Sequence, residues 1–140
     1  MTLLDSDTFT LLGYGRPGME EKLARARAAG VVGVPVFVRA QALRGRLDGL
    51  LKANTPEDVI RLHTMLAASE TRLAEFPVFP FDHAAGGHFN RVSKLKAVRN
   101  VGLADLLIAC VALANDATLV TRNTKDFQGI PNLKLENWAD

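Results

Sequence analysis

The sequence predicts an α/β fold, in which a central, mainly parallel sheet of four to five strands lies between two layers of helices. Three observations carry that reading. Short apolar runs alternate with helical segments, the order that βαβ units produce. One run, Val31-Val32-Gly33-Val34-Pro35-Val36-Phe37-Val38, is apolar on both faces, as in a strand covered from both sides. The segment Leu103–Ala114 is apolar all round except at Asp105, as in a helix buried between layers.

Each element has its own signal. Thr2-Leu3-Leu4 reads as a buried strand ending at Asp5, with Ser6 or Asp7 capping a helix through Leu12. Gly13, Gly15, Pro17 and Gly18 mark a loop. A helix over Met19–Ala29 is closed by Gly30, and the second strand spans Val31–Val38, with Pro35 its weak point. Leu43, Leu47, Leu50 and Leu51 set a helical spacing over Ala40–Ala53. Thr55-Pro56-Glu57-Asp58 combines a cap, a first-turn proline and two early acids, and starts a helix that runs to about Glu75. Pro77–Phe81 reads as a short edge strand, and Asp82 caps a helix over His83–Val98. Gly102 opens the helix Leu103–Ala114. A strand at Ala117–Thr121, a loop at Asn123–Phe127 and a last strand at Leu133–Leu135 follow. No repeat, low-complexity segment or composition break divides residues 1–140, so one domain is expected.

Composition removes several function classes. The 17 Lys+Arg against 15 Asp+Glu leave a net charge of +2, so nucleic-acid binding would need a local basic patch. One cysteine, Cys110, supports neither an internal disulfide nor a cysteine-based zinc site, and points to a reducing cytoplasm. Met1–Asp5 lacks the basic start of a signal peptide, and no apolar run nears the ~20 residues of a membrane span.

Three acids interrupt this apolar pattern. Asp5 ends a strand, Asp105 opens the most apolar helix, and Asp126 follows the strand ending at Thr121. Singly each has an ordinary role: a helix cap, a first-turn acid, a loop acid. Together they lie near the carboxyl ends of the strands, where open parallel sheets put their ligand sites. Clustered carboxylates raise one another's pKa, and a hard divalent cation, Mg²⁺ or Mn²⁺, keeps them ionised together. Such an ion activates water and stabilises charge on a phosphoryl group.

Leu3-Leu4-Asp5-Ser6-Asp7, Leu43-Arg44-Gly45, Gly102–Ala109 and Leu119-Val120-Thr121-Arg122-Asn123-Thr124-Lys125-Asp126-Phe127 resemble the PIN-domain ribonucleases. More narrowly, they resemble VapC-type toxins of type II toxin–antitoxin systems. The closing Ile130-Pro131-Asn132-Leu133 and Glu136-Asn137-Trp138 are similar to that group as well. The resemblance implies a PIN-like three-layer α/β/α fold and Mg²⁺- or Mn²⁺-dependent cleavage of RNA by an activated water. It also implies a cognate antitoxin protein and a homodimer. Its acidic site carries over to Asp5, Asp105 and Asp126, with Thr121 and Asn123 as supporting polar residues and Asp7 as a further candidate beside them. The family's remaining acid, four residues before Gly45, is here Gln41. Gln keeps the shape of Glu but loses a charge and a strong ligand, so weaker metal binding and impaired cleavage are expected. Natural drift and an isosteric substitution made to tolerate a toxin both fit that change.

Phosphate contacts would come from basic residues near these motifs: Arg39, Arg44 and Arg46; Arg91, Lys94, Lys96 and Arg99; Arg122 and Lys125. Arg44, inside a motif, is the RNA-binding candidate. The alternative to an enzyme is a catalytically dead PIN-fold module that binds RNA or antitoxin. A phosphoacceptor receiver domain fits less well, because Lys134 poorly matches the lysine it needs. Gly13-Tyr14-Gly15-Arg16-Pro17-Gly18 fits G-x-G-x-x-G, but eight residues separate it from the strand, so it is not read as a dinucleotide loop. His63, His83 and His88 share no ligand spacing, and Cys110 reads as core.

Overall fold

The structure, a computed structural model, describes residues 1–140. Five short strands, β1 (Thr2–Leu4), β2 (Val32–Pro35), β3 (Val78–Phe79), β4 (Thr118–Val120) and β5 (Lys134–Glu136), form one sheet in the order β3-β2-β1-β4-β5. All four pairings are parallel, with Leu3 opposite both Gly33 and Leu119, Val34 opposite Val78, and Val120 opposite Glu136. Seven helices connect them: α1 (Ser6–Gly13), α2 (Met19–Ala29), α3 (Val36–Leu50), α4 (Pro56–Leu73), α5 (His83–Val92), α6 (Leu103–Ala114) and α7 (Thr124–Phe127). Crossovers from β1 to β2 and β2 to β3 run one way across the sheet; those from β3 to β4 and β4 to β5 run the other. Right-handed connection therefore puts α1–α4 on one face and α5–α7 on the other, the predicted three-layer arrangement.

Topology also fixes where a site can form. The chain leaves β1 toward one edge and β4 toward the other. The adjacent carboxyl ends of β1 and β4 are thus the switch point of the sheet, where connections part and leave a crevice. The core beneath it is built from Leu3, Leu4, Val34, Leu119 and Val120, all with no exposed surface. Ile108–Ala112 of α6 are fully buried as well, which explains the near-uniform apolarity of that helix. Burial pushes the Cys110 thiol up to about 11, so it is core and not a nucleophile.

Several boundaries differ from the predicted ones. The second strand stops at Pro35 instead of running to Val38, and α3 begins at Val36, not Ala40, and ends at Leu50, not Ala53. Pro35 lacks an N–H for continued pairing and sits as the N-cap of α3 with φ −60° and ψ 149°. Val36–Val38 then form the first helical turn and bury Val38, so packing overrides their β-branched composition. The cap of α1 is Asp5, not Ser6 or Asp7; its carboxylate accepts the Thr8 N–H at 2.8 Å. The helix predicted over His83–Val98 ends at Val92. A 3₁₀ turn at Lys96–Val98 follows and turns Val98 into the core. The predicted loop at Asn123–Phe127 contains the single turn α7, which buries Phe127.

Gly33 is the tightest point of the sheet. A Cβ there would lie 2.4 Å from the Phe79 ring and 2.6 Å from the Pro77 carbonyl oxygen. The carbonyl cannot retreat, because it accepts the Val34 N–H at 3.0 Å. Gly33→Ala should therefore destabilise the fold by about 1–3 kcal/mol through overpacking, read as a lower urea midpoint with unchanged slope.

Candidate active site

The site begins with a buried carboxylate. The Asp5 N–H continues the β1–β4 ladder to the Val120 carbonyl at 3.0 Å, which fixes the backbone at the switch point. Its side chain turns inward to cap α1 and is 5% exposed. Thr121, fully buried just past β4, lies beside Asp5 and favours its charged form. The Asn123 N–H donates to the Thr121 hydroxyl at 3.0 Å. Thr8 ties the same corner together by donating its hydroxyl to the Val120 carbonyl at 3.1 Å.

The other acids surround this corner. Asp105, half-buried in the first turn of α6, feels the charges of Asp5, Asp7 and Asp126, in that order of strength. Asp7 is exposed in the first turn of α1. Asp126 is exposed on α7, where the Asn123 side-chain amide donates to it at 2.6 Å. Asp5, Asp7, Asp105, Thr121, Asn123 and Asp126 thus converge from three stretches of chain. Gln41 stands on α3 and is tied to α1 by a hydrogen bond from the Ser6 hydroxyl to its Oε1. In the sequence Ser6 reads as a cap candidate within the opening motif, with nothing local to pair it with Gln41. Arg44 lies three residues on, largely exposed, with its Nε 3.8 Å from Asp48.

Electrostatics at this corner are those of crowded acids. Burial raises the Asp5 carboxyl above the ordinary carboxylate range, against hydrogen bonds from Thr121 and Thr8 that lower it. Burial also raises Asp105, reinforced by Asp5, Asp7 and Asp126. No three Asp, Glu, His or Cys side chains are poised to hold an ion in their observed positions. The donor set fits a hard divalent cation in kind. Its charged groups are carboxylates alone, the ligand type such a cation takes.

The fold and this acidic corner define a class: the PIN domain family matches residues 3–133, and the chain belongs to it. Within that family, one short segment is similar to VapC ribonucleases. It is 63% identical over 38 residues to Ribonuclease VapC2 of Rickettsia felis and 46% identical over 44 residues to Ribonuclease VapC1 of Haemophilus influenzae. Those alignments span 27% and 31% of the chain, and about 28% and 33% of the relatives' own lengths. Likeness in three dimensions is far more extensive. A chain of the VapBC2 crystal structure from Rickettsia felis, bound to a promoter DNA fragment, superposes with a TM-score of 0.77 at 25% identity over 98% of both chains. A chain of VapBC-1 from nontypeable Haemophilus influenzae gives 0.74 at 25% identity over 99% of this chain and 98% of that one.

The raised carboxyls make stability depend on pH with a definite sign. Asp5 and Asp105 hold their protons to higher pH folded than unfolded. Their contribution is full below the ordinary carboxylate range and is lost as pH rises through the raised values. Asp105→Asn removes a charge that burial and three neighbours oppose. It should raise Tm by about 2–5 °C at neutral pH, and the gain should vanish near pH ~4. Circular dichroism melts at the two pH values measure both effects.

Proposed function

We propose that the chain is a divalent-metal-dependent endoribonuclease, the toxin of a toxin–antitoxin pair, acting in the cytoplasm. The observation that carries this reading is the set of carboxylates at the switch point of a PIN fold, where Asp105 feels the charges of both Asp5 and Asp126. Asp5 supplies a fixed, buried oxygen. Asp105 faces it from α6, and Asp126 is turned by Asn123. Held by these three, Mg²⁺ or Mn²⁺ would supply acidification of water and neutralisation of charge developing on a phosphodiester. Thr121 beside Asp5 favours its charged form, and Asn123 holds both the Thr121 hydroxyl and the Asp126 carboxylate. Arg44 contributes a phosphate contact at the rim.

A cognate antitoxin and a homodimer complete the reading. Both need protein-facing surface, and Leu47, Leu51, Val59 and Ile60 leave an apolar patch around the α3–α4 turn, from 45% to 74% exposed. No helix is long and apolar enough to cross a membrane.

Gln41 supports the second reading, a PIN-fold module that binds RNA or antitoxin without cutting. Its Oε1 is engaged by Ser6, and its amide adds no charge to the site. Metal affinity and cleavage should therefore be weak in this chain. Gln41→Glu should raise Mg²⁺- or Mn²⁺-dependent cleavage of labelled RNA by about 10–100-fold. Adding Asp105→Ala to that variant should return cleavage to background. No gain from Gln41→Glu would remove residue 41 from the catalytic set.

A further inference from the structure

Beside the acidic corner lies a groove that the proposed chemistry leaves unused. It runs between α1, α3 and α4, encloses about 530 Å³ and has Gln41 in its lining. That volume is within the range of small-ligand clefts. Phe9, Leu12 and Ala42 give it an apolar lining, to which Tyr14 adds a ring. Two arginines and no acidic residue line it.

The two arginines differ. Arg72 bonds Glu20 and Glu75 and lies over the Phe76 ring, so its charge is spent on structure. Arg46 is half-buried and forms no ion pair. Its Nε donates to the Ser69 hydroxyl at 2.9 Å, which aims the guanidinium without neutralising it. A held, uncompensated cation in a groove free of acids is complementary to an anion. Tyr14, the only tyrosine of the chain, is 67% exposed and follows the last turn of α1. An exposed ring and such a cation lining one groove are the combination that single-stranded nucleic acid uses, base on ring and phosphate on arginine.

We propose that this groove is a subsite for one nucleotide of single-stranded RNA, with a base stacked on Tyr14 and a phosphate held by Arg46. The inference rests on the ribonuclease reading and extends it. A strand with its scissile phosphate at the acidic corner passes Gln41 and enters the groove, so bases beside the cut are read here. Tyr14 and Arg46 are specificity residues in this scheme and do not touch the reacting atoms.

Binding of a short fluorescein-labelled single-stranded RNA to the full chain, with Ca²⁺ in place of Mg²⁺, tests this apart from cleavage. Anisotropy titrations of the parent, Tyr14→Ala, Tyr14→Phe and Arg46→Gln across a salt series are the measurement. Tyr14→Ala should weaken binding by about 10–100-fold, and Tyr14→Phe should bind like the parent because it keeps the ring. Arg46→Gln should weaken binding at low salt and reduce the slope of log affinity against log salt by about 0.7, the value for one single-strand phosphate contact. Parent-like affinity and slope in Tyr14→Ala and Arg46→Gln would overturn the subsite and give the groove to a protein partner. A parent that binds no RNA would overturn the ribonuclease reading and the subsite with it.

Discussion

The carboxylate of Asp5 is buried at the point where β1 stops and α1 starts. Burying a charge is costly unless it is hydrogen-bonded. Here the Thr8 N–H and the Thr121 hydroxyl offset that cost, and the α1 N-terminus adds its dipole. These groups come from both sides of the switch point, so the β1–β4 pairing must be in register for Asp5 to be satisfied. That register brings Thr121 beside Asp5, and Thr121 in turn fixes Asn123 and, through it, Asp126. Asp105 adds repulsion from the third side. The corner is held by structure and opposed by electrostatics, the condition in which a bound cation contributes most.

Much of this was legible in the residues, for reasons that differ by element. The carboxylates stood out because each breaks an apolar run: Asp5 after Leu3-Leu4, Asp105 inside Leu103–Ala114. The helix opened by Thr55-Pro56 was legible because its cap and first turn are local chemistry. The junction at Pro35 was less so. Val36–Val38 have strand composition, and only the neighbouring α6 and β2 show that a helical turn packs better there. Gln41 has no local signal at all. Its place beside the first turn of α1 depends on two crossovers, and only the family likeness singled it out. Tyr14 and Arg46 are 32 positions apart and line one groove only through the packing of α1 on α3.

The net charge of +2 is a sum of opposed regions. Acids gather at the switch point, and cations lie on the elements around it. Many of these cations are already committed. Arg16 and Arg122 both reach Asp140, at 3.7 and 3.5 Å, and Arg44 reaches Asp48. Such pairs are exposed and contribute little to stability, but they lower the field available to a polyanion. What remains uncompensated, as at Arg46, counts for more than the total.

The two edges of the sheet carry a consequence for assembly. β3 has two residues and is bracketed by Pro77 and Pro80, neither of which can donate a backbone hydrogen bond. β5 has three, with charged Lys134 and Glu136 exposed at its ends. Neither edge offers an incoming strand a row of free donors and acceptors. The sheet is in effect terminated, which guards a protein with such a high apolar content against growth into fibres. Copies of the chain are thus poorly suited to joining through either sheet edge.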